Sequence, residues 1–600
     1  MSPALKPTLP TLDKLGVAIP QDLDVEKVAK AWLESFSQFV SAKDTEGIIS
    51  VLDAEAWWRD LFALTWDLRT FHGPEEISAF LENRLEETQF GGIKFIEATL
   101  DRPYPDLAWI TVQFAFETGV AAGRSVTRLI PSKDGAWKAF VIATNLESLK
   151  DHPERVGALR NHLPNHGKWV DQRRKEQEFA DHDPEVLIIG GGQSGLDVAA
   201  RLKHLGTSHL IIEKQPRIGN QWRHRYEALC LHDPLADWLE FYAGALELNV
   251  WTSSTVTNAT HNEETGKWAV TVKREDGSER VFQVDHVVFA LGLGGGAPKV
   301  PDIPGKEEFQ GQILHSTAHR SAKDHLGKKV VIVGACTSAH DIAADYADHG
   351  VDVTIFQRSS TYIMSTKEGM PRMMSPLFWE GGPPTETADR LDNSLPILFT
   401  KLLAQRKAAT IHEADKELLE GLKSVGYRTN FGVDDSGFVF LALKRAGGYY
   451  LDVGACQKII DGQIKIKNDS QIERFTRTGL KFENGSEIEA DVVLFATGFD
   501  DYRGPIRKIL GEEVGKSLTP IWGLNDEGEL RTAWREVGVP NVWYMMGNLA
   551  WARFFSKHVA LRTSASFVIS KAHISPFNPT EIKAKQEGLF GTRYPAPTVW

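Results

Sequence analysis

Cysteine is nearly missing from this chain. Cys230, Cys336 and Cys456 are the only three in 600 residues, and no two of them form a Cys-x-x-Cys pair. That spacing argues against a disulfide framework, a zinc cluster and a dithiol redox centre, and it fits a reducing compartment. Excess positive charge is missing too: the formal net charge is −12, so the basic footprint of a nucleic-acid binder is not there. No apolar run reaches the ~18 residues that a membrane helix needs. The first twenty residues lack a basic n-region and an apolar h-region, so no secretory signal is read there. Together these gaps predict a soluble, cytoplasmic protein with no metal, no nucleic-acid partner and no membrane partner.

What is present is an ordinary globular mix, with 42% hydrophobic and 25% charged residues. At roughly 150 residues per domain, the length allows three or four domains. Pro3, Pro7, Pro10 and Pro20 mark residues 1–23 as an extended lead-in. A helix is expected to start near Asp24, because Val25, Val28, Trp32, Phe36 and Phe39 recur at helical spacing. A second helical run follows His72-Gly73-Pro74. The period then changes to two: Ile110, Val112, Phe114 and Phe116 share one face of a strand, and two more strand-like runs follow. Helices first and strands after predict a self-contained α+β unit over 24–150. Residues 151–182, crowded with charged side chains and histidine, read as a linker with some helix.

From Glu185 the pattern becomes strand–turn–helix–strand. Gly190-x-Gly192-x-x-Gly195 follows the apolar run Val186–Ile189 and opens a helix beginning with Gln193 and Ser194. The first glycine permits the tight turn, the second lets backbone approach a pyrophosphate, and the third lets helix and strand pack closely. The helix N-terminus then offers free N–H groups to the anion. The next strand ends at Glu213, about 20 residues on, where a ribose 2′-hydroxyl partner is expected.

The pattern recurs at Gly334-x-Cys336-x-x-Ala339, with Thr337 and Ser338 opening the helix. Alanine is an accepted third residue. Cys336 narrows the pyrophosphate approach and reads as a small buried residue without a redox role. The strand after it ends at Phe356-Gln357-Arg358-Ser359, with no acid to hold a 2′-hydroxyl. Arg358 and Ser359 suit a 2′-phosphate instead, which predicts NADPH over NADH.

Gly219-Asn220-Gln221-Trp222 after the acidic strand end, Phe309-x-Gly311-x-x-x-His315 between the folds, and Ala496-Thr497-Gly498-Phe499 make the chain resemble the flavin-containing monooxygenase family. The resemblance covers about 185–575 and is closest to fungal members with an N-terminal extension. It implies an α/β architecture of two Rossmann-like dinucleotide-binding domains, preceded by an α+β extension that resembles the NTF2-like cone through WWRDLFALTWDLRTFHG. It divides the chain into an FAD-binding domain over 183–310 and 480–600 and an NADPH-binding domain over 311–479. For FAD it implies Gly190, Gly192, Gln193, Ser194, Gly195, Glu213, Gln221, Trp222, His232, Thr497, Gly498 and Gly547. For NADPH it implies Gly334, Thr337, Ser338, Arg358 and Ser359. His232 and Asn548 are its catalytic candidates, His232 standing where plant auxin-forming relatives also carry His. His315 orders the domain junction. Four residues beyond it, where Baeyer–Villiger relatives usually carry Trp, this chain has His319. Trp57, Trp58, Asp60 and His72 of the extension read as core and turn rather than as pocket lining.

The implied reaction takes a hydride from NADPH and inserts one oxygen atom of O2 into a small organic substrate through a flavin C4a-(hydro)peroxide. N- or S-oxygenation ranks first, oxidative decarboxylation of a keto acid second and Baeyer–Villiger insertion third. A disulfide oxidoreductase would need a dithiol. An NADPH oxidase that leaks peroxide, or a catalytically silent flavoprotein serving as a binding module, stays open on the motifs alone. An NTF2-like unit often dimerises, so the resemblance also admits a homo-oligomer.

Overall fold

The computed structural model describes residues 6–571 apart from 231, 293 and 294. Asp24 caps the helix Val25–Ala42, its Oδ1 accepting the Lys27 N–H at 3.0 Å. Trp32, Phe36 and Val40 form the buried stripe of that helix. Phe36 meets Phe114 at a ring-centroid separation of 6.0 Å. Ile110, Val112, Phe114 and Phe116 share one buried face of the strand Leu107–Glu117, whose other face is buried too from Leu107 to Gln113.

This N-terminal unit is a six-stranded sheet with helices on one face. Its strand order is Leu68–His72, Leu52–Leu61, Trp137–Leu149, Ala121–Pro131, Leu107–Glu117, Gly91–Tyr104. Two strands stand between the helices, so helices first and strands after is not the chain order. Leu52–Leu61 forms early and lies parallel to the last strand, Trp137–Leu149. Trp57 stacks on half-buried His72 at 3.6 Å, and Trp57, Trp58 and Asp60 are buried core residues.

The rest of the chain contains one supersecondary pattern twice. The first copy is an all-parallel sheet in the order Val542–Tyr544, His286–Phe289, Val186–Ile189, His209–Ile212, Val250–Trp251. The second is Gln312–His315, Val492–Phe495, Lys329–Val333, Asp352–Phe356, Lys465–Lys467, also all parallel. Each copy runs strand, glycine turn, helix, strand, and each inserts a three-stranded antiparallel meander before its next parallel strand. The meanders are Thr255–His261 to Glu279–Val284 and Ile472–Thr476 to Glu487–Glu489. Both copies are Rossmann-like.

The repeat corrects one boundary. Val492–Phe495 is the counterpart of His286–Phe289 and sits inside the second sheet, so the chain crosses back after Phe495 and not at 480. The second copy also carries an excursion between its second and third strands. Its α-helices are Gly369–Met374, Thr385–Asn393, Ile397–Ala414, Lys416–Ser424, Gly437–Arg445 and Ala455–Ile460, with a small parallel sheet centred on Thr361–Ser365. Between the N-terminal and first units, helix Trp169–Glu178 docks through Arg173, which donates to Asn249 Oδ1 at 2.6 Å and Leu248 O at 2.7 Å. Among the described residues, no helix is long and apolar enough to cross a membrane.

Candidate functional site

The first glycine turn closes the C-terminal end of Val186–Ile189. Gly190 adopts φ +111°, and a Cβ there would stand 2.5 Å from the Ala290 carbonyl oxygen. A Cβ on Gly195 would come within 2.0 Å of Gly190 O. Only glycine allows both approaches. The helix Gln193–Leu205 makes its first bond from Leu196 N–H to Gly192 O at 3.0 Å. The N–H groups of Gln193, Ser194 and Gly195 therefore have no intrahelical partner and suit an anion. Gln193 Nε2 donates to Gly547 O at 3.2 Å, tying the turn to the segment after strand Val542–Tyr544. Glu213 is buried at the end of the neighbouring strand. Its Oε2 accepts the Gly191 N–H at 2.7 Å and its Oε1 accepts the Gln215 N–H at 2.8 Å.

The segment Gly219–Trp222 lies against this turn: a Cβ on Gly192 would sit 3.3 Å from Gln221 Nε2. The Trp222 indole N–H is buried and has no hydrogen-bond partner among the described residues. An orphaned buried donor is costly unless a ligand supplies the acceptor. Glycine cradle, free helix N-terminus, acidic strand end and orphaned indole together fit a dinucleotide.

The second turn repeats the geometry. Gly334 adopts φ +128°, and its Cβ would stand 2.5 Å from Ala496 O, as at Gly190 and Ala290. Cys336 O collects the N–H groups of Ala339 at 3.0 Å and His340 at 3.2 Å, so those of Thr337 and Ser338 precede the first helical bond. Burial pushes the Cys336 thiol up, against the pull of the Gly448 and Tyr449 backbone and the Arg358 charge. Thr337 Oγ1 donates to Tyr449 O at 3.3 Å, so the helical excursion borders this turn. Buried Gln357 holds the position that Glu213 has in the first copy, each donating its N–H to the next parallel strand, and Arg358 and Ser359 are exposed just beyond it. The turn, the free N–H groups and this cation fit a second, 2′-phosphorylated dinucleotide.

Two crossing segments join the copies. Pro298 bridges Phe499 in antiparallel fashion, and Lys299 N–H donates to Gly498 O at 3.0 Å. His315, at 7% exposure, locks onto them: its Nε2 is 3.1 Å from Gly498 O and its Nδ1 3.0 Å from Thr317 Oγ1. Burial lowers its pKa, keeping the ring neutral.

Some expected residues lie elsewhere than the sequence suggests. Ala496 closes the second turn, and Thr497 and Gly498 follow it on the pair of crossing segments, where the Thr497 hydroxyl donates to Lys299 O. Asn548 caps the helix Leu549–Lys571, its Oδ1 accepting the Trp551 N–H at 2.9 Å. That carbonyl oxygen is therefore already engaged. His232 opens the helix His232–Ala245, half-buried, with Nδ1 3.4 Å from Asp233 Oδ2 and no hydrogen-bond partner among the described residues.

Two residues escaped the sequence. Tyr226 is buried in the core of the second copy although its loop belongs to the first. Arg428, from the excursion, donates through Nη2 to Gln357 O at 2.8 Å and to Arg358 O at 3.1 Å, which sets a second cation at the Arg358 strand end. No local motif marks either, because both contacts are long-range.

The Flavin-binding monooxygenase-like family matches residues 221–506, and the Pyridine nucleotide-disulphide oxidoreductase family matches 120–294. Among curated proteins, indole-3-pyruvate monooxygenase YUCCA1 of Oryza sativa subsp. japonica is 27% identical over 403 residues, 62% of this chain and 87% of that protein. The probable indole-3-pyruvate monooxygenase YUCCA4 of Arabidopsis thaliana is 29% identical over 343 residues, 53% of this chain and 75% of that protein. Among solved structures, a flavin-containing monooxygenase from Stenotrophomonas maltophilia shares 17% identity at a TM-score of 0.43, over 64% of this chain and 99% of that one. Cyclohexanone monooxygenase from Rhodococcus sp. Phi1 bound to NADP+ shares 18% identity at 0.43, over 65% and 85%. The doubled dinucleotide unit and the family match across the second turn lead to one conclusion: the chain is similar to flavin-binding monooxygenases over that stretch and is an oxidoreductase that works with FAD and NADPH.

Proposed function

We propose that the turn at Gly190–Gly195 holds FAD, that the turn at Gly334–Ala339 holds NADPH, and that the enzyme transfers one oxygen atom of O2 to a nucleophilic nitrogen or sulfur of a small organic substrate. The observation that carries this reading is the repeat itself. Two glycine cradles, each closed by an alanine carbonyl, stand at matching strand ends, one followed by Glu213 and the other by Arg358. An acid there accepts from a ribose hydroxyl and a cation there meets a phosphate. When bound, FAD supplies the oxygen activation and NADPH the hydride.

The protein's own residues then bind, orient and shield. Gln193 holds the first turn to Gly547, and Trp222 has a buried N–H to offer a polar ligand atom. Arg358, with Arg428 beside it, selects the 2′-phosphate. His315 keeps the two crossing segments in register. His232 offers an imidazole at the end of the flavin-side loop, so it can hydrogen-bond the reacting group there. The six-stranded N-terminal unit with helices on one face is read as an NTF2-like extension of the fungal type.

A second reading, oxidative decarboxylation of a 2-oxo acid, is favoured by His232 and by the named activity of the plant relatives. A substrate screen that follows NADPH oxidation, peroxide and product together separates the two. Amines or sulfides should raise product per NADPH and suppress peroxide. If only 2-oxo acids do so, the second reading replaces the first. If peroxide matches NADPH whatever is added, neither oxygenation stands.

A further inference from the structure

We infer that Tyr226 is a positioning residue that couples nucleotide binding to the flavin side of the enzyme through its hydrogen bond to Asp341. The inference rests on the assignment of the turn at 334–339 to NADPH. Tyr226 belongs to the loop between Trp222 and His232, both of which the functional reading sets beside the flavin. Yet its ring, 2% exposed, packs in the core of the second copy with Ala339, Ile342 and Ala343. Its phenol donates to Asp341 Oδ2 at 2.9 Å and lies 3.5 Å from Ser338 Oγ. Ser338 and Asp341 stand in the first turns of helix Thr337–Asp348, whose N-terminus faces the nucleotide in our assignment.

The loop is pinned to the second copy a second time. Glu227 N–H donates to Arg320 O at 2.8 Å, and Arg320 Nη1 donates back to Arg225 O at 3.2 Å. Ala228 and Leu229 add apolar contacts to the same core. The ends of this segment therefore serve one cofactor while its middle is part of the other cofactor's scaffold. A nucleotide that orders the helix start orders Asp341, hence Tyr226, hence the placement of Trp222 and His232. By reciprocity, a loop held in place by Asp341 favours the bound nucleotide.

The test uses the full-length, FAD-loaded protein. Tyr226→Phe keeps the ring and removes only the donor; Asp341→Ala removes the acceptor together with the carboxylate's attraction to Arg225. In each, the Kd for NADP+, read from the perturbation of the flavin visible spectrum, should rise about three- to ten-fold. The KM for NADPH should rise in step, with kcat within two-fold and flavin content unchanged. The double variant should be no worse than Asp341→Ala, because Tyr226→Phe removes a bond that Asp341→Ala has already broken. Kd values within two-fold of wild type in both single variants would overturn the inference, as would losses that simply add in the double variant. Should Tyr226→Phe fail to fold, Asp341→Ala decides alone. A wild-type protein that holds FAD but does not respond to NADP+ would refute the nucleotide assignment and remove this inference with it.

Discussion

Arg59 grips both carboxylate oxygens of Glu529, with Nε at 2.7 Å from Oε1 and Nη2 at 2.8 Å from Oε2. Both side chains are under 5% exposed. The remaining nitrogen, Nη1, donates to Asn393 O at 2.6 Å and Leu395 O at 3.0 Å. One guanidinium thus ties the N-terminal sheet to the returning segment of the first copy and to the helical excursion of the second copy. Lys557–Glu147, Arg535–Asp67 and Arg69–Glu527 extend the same interface.

Arg59→Met is expected to leave Glu529 buried with only Thr70 as partner and to destabilise the protein by about 3–5 kcal/mol. Urea unfolding of the full chain checks this. A loss below about 1 kcal/mol would mean that the N-terminal unit is appended rather than integral.

The two turns should fail separately. Gly190→Ala places a Cβ 2.5 Å from Ala290 O, and Gly334→Ala does the same against Ala496 O, both at strongly positive φ. Strain of about 1–3 kcal/mol falls on one cradle in each case. Gly190→Ala should purify with most of its flavin lost. Gly334→Ala should keep its flavin but show a KM for NADPH raised about ten-fold or more. Flavin absorbance per protein and NADPH kinetics decide, and flavin loss in Gly334→Ala would reverse the assignment.

Arg358→Ala should raise the KM for NADPH about ten- to a hundred-fold, the loss of a charge-assisted bond worth about 1.5–3 kcal/mol, and leave the KM for NADH nearly unchanged. Equal losses with both nucleotides would show that the 2′-phosphate is bound elsewhere.

Acid should unfold the interface through His558. This side chain is fully buried, with Nε2 2.8 Å from Asn145 Oδ1 of the N-terminal sheet, and burial drives its pKa down from 6.5 to about 3. Folded protein keeps the ring neutral while unfolded protein binds a proton below pH 6.5, so its stability contribution is complete above that pH and falls as pH drops toward 3. At pH 5 the loss is about 2 kcal/mol relative to pH 7. Buried His209, His319 and His340, each lowered to about 4, act in the same direction. Melting curves between pH 7 and 5 should flatten in His558→Gln; a parallel shift at every pH would refute the assignment.

Both dinucleotide folds were legible in the sequence because their signals are local: a strand, three spaced small residues and a helix within some twenty positions. The strands Leu107–Glu117 and Trp137–Leu149 of the N-terminal unit were legible for the same reason, as alternation shows in a short window. Val492–Phe495 was assigned to the wrong copy because Ala496-Thr497-Gly498 resembles a closing motif, and only pairing with Lys329–Val333 reveals its sheet. The helical excursion carries no motif, merely amphipathic helices. The second role of Asn548, helix capping, depends on where Leu549 begins its helix. Tyr226 acts across the copies and Arg428 within the second one, both at distances along the chain that no spacing rule spans.

Mixing the purified, FAD-containing protein with NADPH under nitrogen, while following the flavin band near the visible maximum, tests the account most directly. The yellow colour should bleach rapidly with NADPH, far more slowly with NADH, and return on admitting air. A flavin that stays oxidised under NADPH, or a protein that takes up no flavin at all, would contradict the transfer of electrons between the two cradles.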